Sequence, residues 1–438
     1  MSEPVASASA PSALARTSRM LAPITWLWIR IWFQERSTTP LEVARIGLGA
    51  AMLVHYGFAT PHLLRFWGNT GWLPLSALKS QAPDPWTQSV MFYFSAPWQL
   101  IAFHWLFLFC CAAFMLGWQT RFVKWLVLIG HVSYAYRNPT LAYGVDTIVS
   151  CLLLILCFAP IGHALSWDRV HRIHLAKCKN LDLTASLPPY TSRWAFACAR
   201  LMQIQMAVLF FFSAIGKLEG TDWWNGDAVW QVFVSNDYYN GFMLDLLASH
   251  FWLANVATYG TILIEIAYPF LVWQRLTRPY ALAGGIVLHL QFAFLMNLYY
   301  FSFAMIMGHM SFLRRSWLTA LGQWWRRSTG DMEMIYDGTC GFCKRSMAWF
   351  LAFDGLRQIR VRDFRTNPSP VVSDDKMLRA LYAVLPNGRA LPGFEAYRYV
   401  VLRVPGMWWL VPFFYVPVLS RLIGHPLYNW IAANRSRL

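Results

Sequence analysis

Long apolar stretches separated by short polar segments make up the chain between residues 37 and 315. A helix that crosses a bilayer needs about 20 mostly apolar residues. Eight stretches come close to that length, so the pattern predicts an α-helical polytopic membrane bundle of about eight spans. The predicted spans are Leu41–Thr60, Trp98–Leu116, Phe122–Tyr136, Val145–Leu165, Trp194–Gly216, Phe251–Trp273, Tyr280–Leu298 and Phe301–Leu313.

The segments that flank this bundle have other patterns. Residues 1–20 are rich in Ala, Ser and Pro and have no apolar run before a cleavage site, which predicts a disordered tail and not a signal peptide. Residues 21–36 are rich in Trp and interrupted by Arg30, which is typical of an amphipathic helix in the membrane interface. Residues 316–330 read as a basic and aromatic linker.

After residue 330, short apolar runs alternate with turn residues. A period of two predicts strands and a period near 3.6 predicts helices. Asn387-Gly388 predicts a hairpin, because Asn-Gly supplies the positive φ angles of a type I′ turn. Residues 331–438 are therefore predicted to form a C-terminal α/β domain. Its predicted elements are strand Met332–Tyr336, helix Gly341–Phe353, strand Gln358–Phe364, a hairpin from Arg379 to Leu391 and helix Gly393–Arg403.

The composition agrees with a bilayer environment. Hydrophobic residues make up 57% of the chain and charged residues 13%, about half of what a soluble domain carries. The net charge of +16 raises the question of nucleic acid. In membrane proteins, however, basic residues mark cytoplasmic loops and contacts with anionic lipid. We therefore expect membrane lipid as a partner and no nucleic acid.

The distribution of Lys and Arg predicts the orientation, because these residues stay on the cytoplasmic side. With the N-terminus inside, seventeen of them up to Arg327 fall in inner segments. Four fall in outer segments, namely Arg65, Lys79, Arg137 and Lys217. This bias predicts a multi-pass protein of a bacterial-type inner (plasma) membrane, with both termini cytoplasmic.

Cys340 and Cys343 form a spaced pair at the start of a predicted helix. Residues three apart on a helix are neighbours, so the two sulfurs come within disulfide reach. The helix N-terminus and the Lys-Arg pair that follows favour a thiolate. We therefore assign Cys340 as the nucleophile and Cys343 as the resolving thiol. Asp337 either tunes the thiol or shuttles a proton, or it forms the turn with Gly338.

Zinc is the alternative for this pair, since Cys-x-x-Cys is also a common half of a zinc site. The predicted C-terminal domain has no second pair: it contains no further cysteine, and His425 is its one histidine. No metal is therefore expected. The six other cysteines are interpreted as small apolar fillers.

The C-terminal residues resemble the DCC family of thiol-disulfide oxidoreductases over roughly residues 331–438. The resemblance is carried by Tyr336-Asp337-Gly338-Thr339-Cys340-Gly341-Phe342-Cys343, the Asn387-Gly388 turn, Gly393-Phe394-Glu395-Ala396 and the ending Leu427 to Arg435. The resemblance implies a thioredoxin-like fold and dithiol chemistry, and it leaves the physiological substrates mostly undefined. We expect a cellular thiol or a protein disulfide as the substrate of the dithiol.

Lys217 ends a very apolar predicted helix at the outer face. A desolvated lysine in such a place is one route to a catalytic base. The structural alternative is a lysine that reaches toward water and pairs with Glu219 or Asp222. Physical reasoning alone favours the structural interpretation.

The membrane part resembles the HTTM domain, a bacterial branch similar to the vitamin K-dependent gamma-carboxylases, over about residues 37–315. The motifs are Phe210 to Gly220, Asp222 to Gly226, Tyr136 to Pro139, Gly144 to Asp146 and Phe158 to Gly162. Lys217 falls on the position of the carboxylase catalytic lysine. The carboxylase histidine before Val145 is missing, since residues 140–143 are Thr, Leu, Ala and Tyr, and the large luminal region is missing too. Glutamate carboxylation is therefore not expected.

Further polar residues lie within the predicted spans. Buried charges are commonly paired, so Arg45 and Arg200 are expected to pair with Asp146 and Glu265. His289 and Gln291 together with Glu265 would line a quinone-sized cavity, or they join helices within the bundle.

The leading hypothesis is a membrane-anchored thiol-disulfide oxidoreductase that uses Cys340 and Cys343. No cofactor is assigned, and a quinone-like partner of the membrane domain stays open. One alternative is a gamma-carboxylase-like membrane enzyme with Lys217 as base toward a quinol or a peptide. The other is a non-enzymatic transporter or maturation scaffold.

Overall fold

The computed structural model describes residues 25–80, 87–180, 183–184 and 187–434. The predicted tail, residues 1–20, lies outside the described residues, as do residues 21–24 of the predicted interfacial helix. Residues 25–32 are helical, and Trp26 and Trp28 are exposed. The described chain forms two compact units: unit 1 runs to Leu165 and resumes at Tyr190–Leu313, and unit 2 holds Ser166–Pro189 and the residues from Arg314 onward.

The α-helices that follow residues 25–32 are numbered in chain order. They are α1 Thr39–Ala59, α2 Leu63–Trp67, α3 Leu75–Ser80, α4 Pro97–Leu116, α5 Thr120–Arg137, α6 Gly144–Phe158, α7 Trp167–Asn180, α8 Arg193–Leu218, α9 Thr221–Asn225, α10 Ala228–Val234, α11 Gly241–Ser249, α12 Trp252–Leu271, α13 Arg278–Met296, α14 Tyr299–His309, α15 Arg315–Thr329, α16 Gly341–Phe353, α17 Asp374–Arg379, α18 Gly393–Arg403, α19 Val411–Tyr415, α20 Pro417–Leu419 and α21 His425–Asn434. The strands are β1 Arg36–Ser37, β2 Thr191–Ser192, β3 Met332–Tyr336, β4 Ile359–Asp363, β5 Tyr382–Val384 and β6 Ala390–Pro392.

Unit 1 is built from apolar helices. Among the described residues, α4, α8 and α13 are long and apolar enough to cross a membrane. The prediction of about eight spans is therefore not supported. The predicted spans that do not qualify form helices, but these are short or carry charge. Helix α6 has 15 residues and stops before Pro160, and α14 has 11 residues.

Buried charges explain why some longer helices of unit 1 also do not qualify as membrane spans. Helix α1 has 21 residues but buries Glu42 and Arg45, whose Oε2 and Nε atoms are 2.9 Å apart. Neither side chain of this pair is exposed. The Glu42 carboxylate also accepts hydrogen bonds from the backbone N–H groups of residues 162–164, so the buried charge is well satisfied.

The prediction that Arg45 and Arg200 pair with Asp146 and Glu265 is wrong. Arg45 pairs with Glu42 on its own helix, and Arg200 donates to the Gln203 side chain at 3.0 Å. Asp146 accepts from the backbone N–H of Tyr143 at 2.8 Å and so caps α6. Arg45 also donates to the backbone carbonyl of Leu165 at 2.6 Å. Nearby side chains and distant backbone groups therefore satisfy these charges, which a search for distant opposite charges overlooks.

Unit 2 contains a mixed four-stranded sheet in the order β4-β3-β5-β6. Strand β3 is parallel to β4 and antiparallel to β5, and β5 is antiparallel to β6. Alternation along β3 sends Met332 and Met334 into a core with α16 and α18. Ile335 faces the opposite side, where it packs with Phe364 and Met377.

The predicted bounds of β3, α16 and α18 are confirmed residue by residue, and β4 is one residue shorter at each end than predicted. The predicted hairpin differs in detail. Arg379 ends α17, so the first hairpin strand begins at Tyr382. In the turn Gly388 has a φ of 81°, whereas Asn387 does not have a positive φ. The turn is therefore a wider loop with one left-handed glycine, and the type I′ prediction is wrong.

Helix α7 lies between α6 and α8 in the chain, yet it folds with unit 2 and packs against α16. The His174 ring stacks on the Trp349 indole with centroids 3.9 Å apart. Trp167 stacks on the same indole at 5.6 Å. The helix that begins at the cysteine pair is therefore covered on its Trp349 side by a segment from a distant part of the sequence.

Candidate dithiol site

The turn that joins β3 to α16 is held by its own polar groups. The Cys340 N–H donates to the backbone carbonyl of Asp337 at 3.2 Å. Asp337 Oδ1 accepts from the N–H of Thr339 at 2.9 Å and from its hydroxyl at 2.6 Å. This side-chain turn fixes the backbone just before the first cysteine.

The turn requires glycine at position 338 because the Asp363 carboxylate lies very close to it. Its N–H donates to Asp363 Oδ1 at 3.0 Å. A Cβ at this position would lie 1.9 Å from Asp363 Oδ2, so a side chain cannot be accommodated without movement. Asp363 is brought there because it ends β4 and is in register with Tyr336 at the end of β3.

Cys340 caps the N-terminus of α16 with its sulfur. Its Sγ accepts the N–H of Cys343 at 3.2 Å, as an N-cap oxygen would. The Cys343 thiol donates to the same sulfur at 2.6 Å. Cys343 is buried and Cys340 is half-buried. The nucleophile and the resolving thiol assigned from sequence therefore lie side by side.

Asp337 carries a strongly stabilised negative charge. Partial burial raises its pKa, but hydrogen bonds from Arg365 and Thr339 and the charge of Arg365 outweigh it and lower the pKa to about 2. Arg365 donates from Nε and Nη2, each at 3.2 Å. A group with such a pKa is ionised at neutral pH and is a poor proton shuttle. Its contacts instead agree with the interpretation of Asp337 as a turn former.

The sequence reasoning missed Asp363, Arg365 and Thr339. A signal for two of them was present. Two parallel strands that follow one another in a β-α-β unit end at the same edge of the sheet. Polar residues directly after the second strand, here Asp363 and Arg365, therefore arrive beside the turn that follows the first strand.

Residues 334–438 match the DCC1-like thiol-disulfide oxidoreductase family. The match covers the C-terminal quarter of the chain and includes the turn, both cysteines and the four strands except the first two residues of β3. No curated protein and no solved structure matches the chain, and nothing in these comparisons supports the resemblance of residues 37–315 to the HTTM domain or the gamma-carboxylases.

Metal ligation was a possible role for the dithiol of the DCC1-like domain. In the part of the chain that the structure describes, no group of three or more His, Cys, Asp or Glu side chains is placed to hold a metal ion. The two cysteines of the DCC1-like domain instead contact each other.

Lys217 belongs to unit 1 and has a partner other than the two expected ones. Its Nζ lies 2.9 Å from Glu265 Oε2 and 3.0 Å from Oε1, and it donates to the Ser213 hydroxyl at 2.6 Å. The Lys217 side chain is 21% exposed and that of Glu265 is 6% exposed. The expected pairing with Glu219 or Asp222 is wrong, because α12 packs on α8 and brings Glu265 to the lysine.

His289, on α13, is buried among aromatic rings. Its neighbours include Phe210 with ring centroids 5.7 Å away and His309 also at 5.7 Å. Neither of its ring nitrogens has a hydrogen-bond partner among the described residues. Gln291 is exposed and so does not share this position, which removes it from the expected cavity.

Proposed function

We propose that this protein is a membrane-anchored thiol-disulfide oxidoreductase, with Cys340 and Cys343 of its DCC1-like domain cycling between dithiol and disulfide. One observation carries the proposal: the two sulfurs lie 2.6 Å apart at the N-terminus of α16. The family match over residues 334–438 supports the same chemistry. The apolar helices α4, α8 and α13 support the membrane anchor.

The proposed reaction is thiol-disulfide exchange. The Cys340 thiolate attacks one sulfur of a substrate disulfide, the substrate S–S bond breaks, and the leaving sulfur departs as a thiolate that takes up a proton. Cys343 then loses its proton and attacks the Cys340 sulfur, which releases the second substrate thiol. Two electrons and two protons pass from the dithiol to the substrate, and the reverse sequence oxidises a substrate dithiol.

Asp337 and Arg365 act in this proposal as positioning residues. They fix the turn from Asp337 to Cys340, so the Cys340 sulfur stays at the helix N-terminus where backbone N–H groups and the helix dipole stabilise negative charge. Catalytic groups need such support, because small displacements of reacting atoms slow a reaction strongly.

A thioredoxin-like fold is proposed for the DCC1-like domain. It rests on the β-α-β unit of β3, α16 and β4, followed by the β5-β6 hairpin and α18. The dithiol at the first turn of the helix after the first strand of the unit fits that fold.

The cytoplasmic side is proposed for the dithiol, from the positive-inside bias of the sequence. In a reducing cytosol the resting state is the dithiol, and the substrates are a cellular thiol or a protein disulfide. The bacterial-type inner membrane, with both chain termini cytoplasmic, belongs to the same proposal.

A second candidate function concerns unit 1. His289 is buried with both ring nitrogens unpartnered, and the Tyr268 hydroxyl is 2.6 Å from the Nδ1 atom of neighbouring His309. Tyr268 lies one turn along α12 from Glu265, the partner of Lys217. Together, His289, His309 and Tyr268 form a polar cluster among apolar helices. Such a cluster suits a quinone-like ligand, which takes up protons as it accepts electrons. A carboxylase-like reaction with Lys217 as base is less favoured, since Glu265 holds the lysine ammonium.

The experiment for the leading proposal is disulfide trapping. The full chain carrying Cys343→Ser, incubated with glutathione disulfide, is expected to keep a glutathione adduct on Cys340 that mass spectrometry detects. The matched Cys340→Ser variant is expected to carry no adduct on the buried Cys343. Absence of the adduct from Cys340 contradicts the proposal. It would leave the non-enzymatic alternative, a transporter or a maturation scaffold.

A further inference from the structure

The segment after α18 exposes a large apolar face. Residues 405–434 have one side open to the surroundings, with Leu422 72% and Val418 62% exposed. Soluble surfaces rarely carry so many large apolar side chains together, and such patches mark interaction sites. The other exposed members are Trp408, Trp409, Phe413, Val416, Ile423, Leu427 and Trp430.

The opposite side of this segment is anchored on the domain. Met407 is buried in the core with α16 and α18. Phe394 of α18 stacks on Phe414 with centroids 5.2 Å apart, and the Tyr415 hydroxyl donates to the Arg398 carbonyl at 3.1 Å. The segment is therefore held as a layer with one face packed and one face open.

Helix α15 contributes to the same surface. Trp325 of α15 contacts Trp408 with ring centroids 5.6 Å apart and donates to the Arg403 carbonyl at 3.2 Å. Between them lies an apolar groove lined by Trp325, Thr329, Leu402, Arg403, Trp408 and Val411. On the other side of α15, Gln323, Arg326 and Arg327 line a polar recess together with Gly330 and Asp331, and Asp331 pairs with Arg326 at 2.6 Å. The helix thus places an apolar groove beside a polar recess that Arg327 lines.

The two segments that form this surface carry charged residues of positive sign only. Helix α15 and residues 404–434 contain no Asp or Glu, whereas every acidic residue of the chain after Arg314 lies between Asp331 and Glu395. The basic residues Arg314, Arg315, Arg327 and Arg421 accompany the Trp residues. Trp side chains and arginines together suit the headgroup region of an anionic leaflet.

The geometry of residues 405–434 argues against a membrane span. Pro405–Tyr415 and Pro417–Asn434 are apolar enough in combination, but they bend by 78° at the break. A straight helix of 10 residues, the length of α21, covers about 15 Å, half of the hydrocarbon thickness. An apolar face on a bent, half-packed layer is instead the form of an interfacial element.

We propose that α15 and the open face of residues 405–434 bind the surface of an anionic phospholipid bilayer. Acyl chains occupy the apolar groove at Trp325 and Trp408, and headgroup phosphates lie at Arg327 and Arg421. The DCC1-like domain then has a lipid-binding face of its own in addition to any spanning helix of unit 1. This inference does not depend on the redox activity of the cysteines.

The test is photo-crosslinking of the full chain in lipid nanodiscs that contain phosphatidylglycerol. A benzophenone amino acid replaces Leu422 in one variant and Trp324 in another, since both side chains point outward, with 72% and 62% exposed. The matched control replaces Asn387, an exposed residue in the hairpin turn of the same domain. The expected result is a phospholipid adduct at both test positions, at least ten times more abundant than at Asn387.

A second experiment tests whether lipid binding requires the positive charges of Arg327 and Arg421. The combined variant Arg327→Glu and Arg421→Glu is expected to lower the adduct yield several-fold in phosphatidylglycerol nanodiscs and to leave it unchanged in phosphatidylcholine nanodiscs. Unchanged alkylation of Cys340 shows that the domain stays folded. Crosslinks to a protein instead of lipid, equal yields at Asn387 and the test positions, or no effect of the charge reversal would each overturn the proposal.

Discussion

The Arg365 guanidinium and the Asp337 carboxylate form a two-pronged contact, with Nε and Nη2 each 3.2 Å from a carboxylate oxygen. The Asp337 side chain is 11% exposed and that of Arg365 is 43% exposed. Because the Arg365 guanidinium remains open to water, the pair is screened, and we expect it to add only about 1 kcal/mol to the stability of the domain. Its effect is local, because the same carboxylate holds Thr339 one residue before Cys340.

Replacement of Asp337 separates these two contacts. Asp337→Asn keeps an oxygen that accepts the Thr339 N–H but loses the charge that Arg365 contacts, whereas Asp337→Ala loses both. We expect the rate of exchange with glutathione disulfide to fall a few-fold in the Asn variant and by about tenfold or more in the Ala variant. Stopped-flow kinetics on the full chain measures both rates. Equal rates in the Ala variant and the unmodified protein would contradict the positioning role.

The same carboxylate gives a pH dependence with a defined sign. The pKa of Asp337 is lowered from 3.8 to about 2, so its folded form favours the ionised state. Its contribution to stability is present above the ordinary pKa and is lost as the pH falls through about 2. The stability difference between the unmodified domain and Asp337→Asn should therefore be constant from pH 7 to pH 5 and shrink between about pH 4 and pH 2. Hydrogen exchange of β3 and α16 across this range measures it, and a difference that grows on acidification would refute the assignment.

Gly338 offers a steric test of the turn. Gly338→Ala places a Cβ against the Asp363 carboxylate and should destabilise the domain by about 1 to 3 kcal/mol, the usual cost of overpacking. Asp363→Ala in the same chain should recover part of the loss, because it removes the clashing atoms. Gly341→Ala is the control, since its nearest neighbour, Arg345 Nη1, is 3.7 Å from the added Cβ. Equal effects at the two glycines would show that the close approach at Asp363 is not the cause.

Local pattern and long-range packing account for different parts of this structure. The bounds of β3, α16 and α18 follow from hydrophobic periodicity and from the glycine at the start of each helix, so the sequence alone predicts them. The short distance between the Cys340 and Cys343 sulfurs also follows from their spacing at the start of one helix. These features involve residues close together in the chain.

The remaining features depend on residues far apart. Glu265 reaches Lys217 across 48 positions, and His174 reaches Trp349 across a much longer interval. Neither contact leaves a periodic signal in the sequence. The prediction of about eight spans is not supported for a related reason: apolar stretches such as Val145–Leu165 meet a length criterion, whereas the helix itself ends at Phe158. Arg45 pairs with Glu42 on its own helix and donates to distant backbone carbonyls, whereas sequence reasoning looked for distant side chains of opposite charge.

The Lys217 and Glu265 pair tests whether unit 1 uses this lysine for chemistry or for structure. Lys217→Met leaves the Glu265 charge buried and unpaired and should destabilise unit 1 by about 3 to 5 kcal/mol, whereas the double change Lys217→Met and Glu265→Leu should restore most of that loss. Thermal unfolding in detergent measures both. If the double variant is stable and retains cellular function, the pair is structural. A stable but inactive double variant would favour the enzymatic role of unit 1.

The docking of α7 on α16 predicts that the family-matched region depends on a distant helix. Trp349→Ala and His174→Ala each remove a stacked ring and should increase hydrogen exchange in α16, with Trp349→Ala the larger effect at about 1 to 3 kcal/mol. His171→Ala is the matched control, because that residue is exposed and its ring is 6.5 Å from the Trp349 ring. An unchanged exchange rate in the Trp349 variant would mean that α7 does not stabilise the dithiol helix.

The central claim is that Cys340 and Cys343 form a reversible two-electron pair. Equilibration of the full chain in glutathione buffers of increasing oxidising strength, followed by alkylation and mass spectrometry, tests it directly. We predict one transition in which both thiols are lost together and a disulfide joins Cys340 to Cys343. Thiols that stay free in every buffer, or that each take up glutathione without joining, would contradict the account.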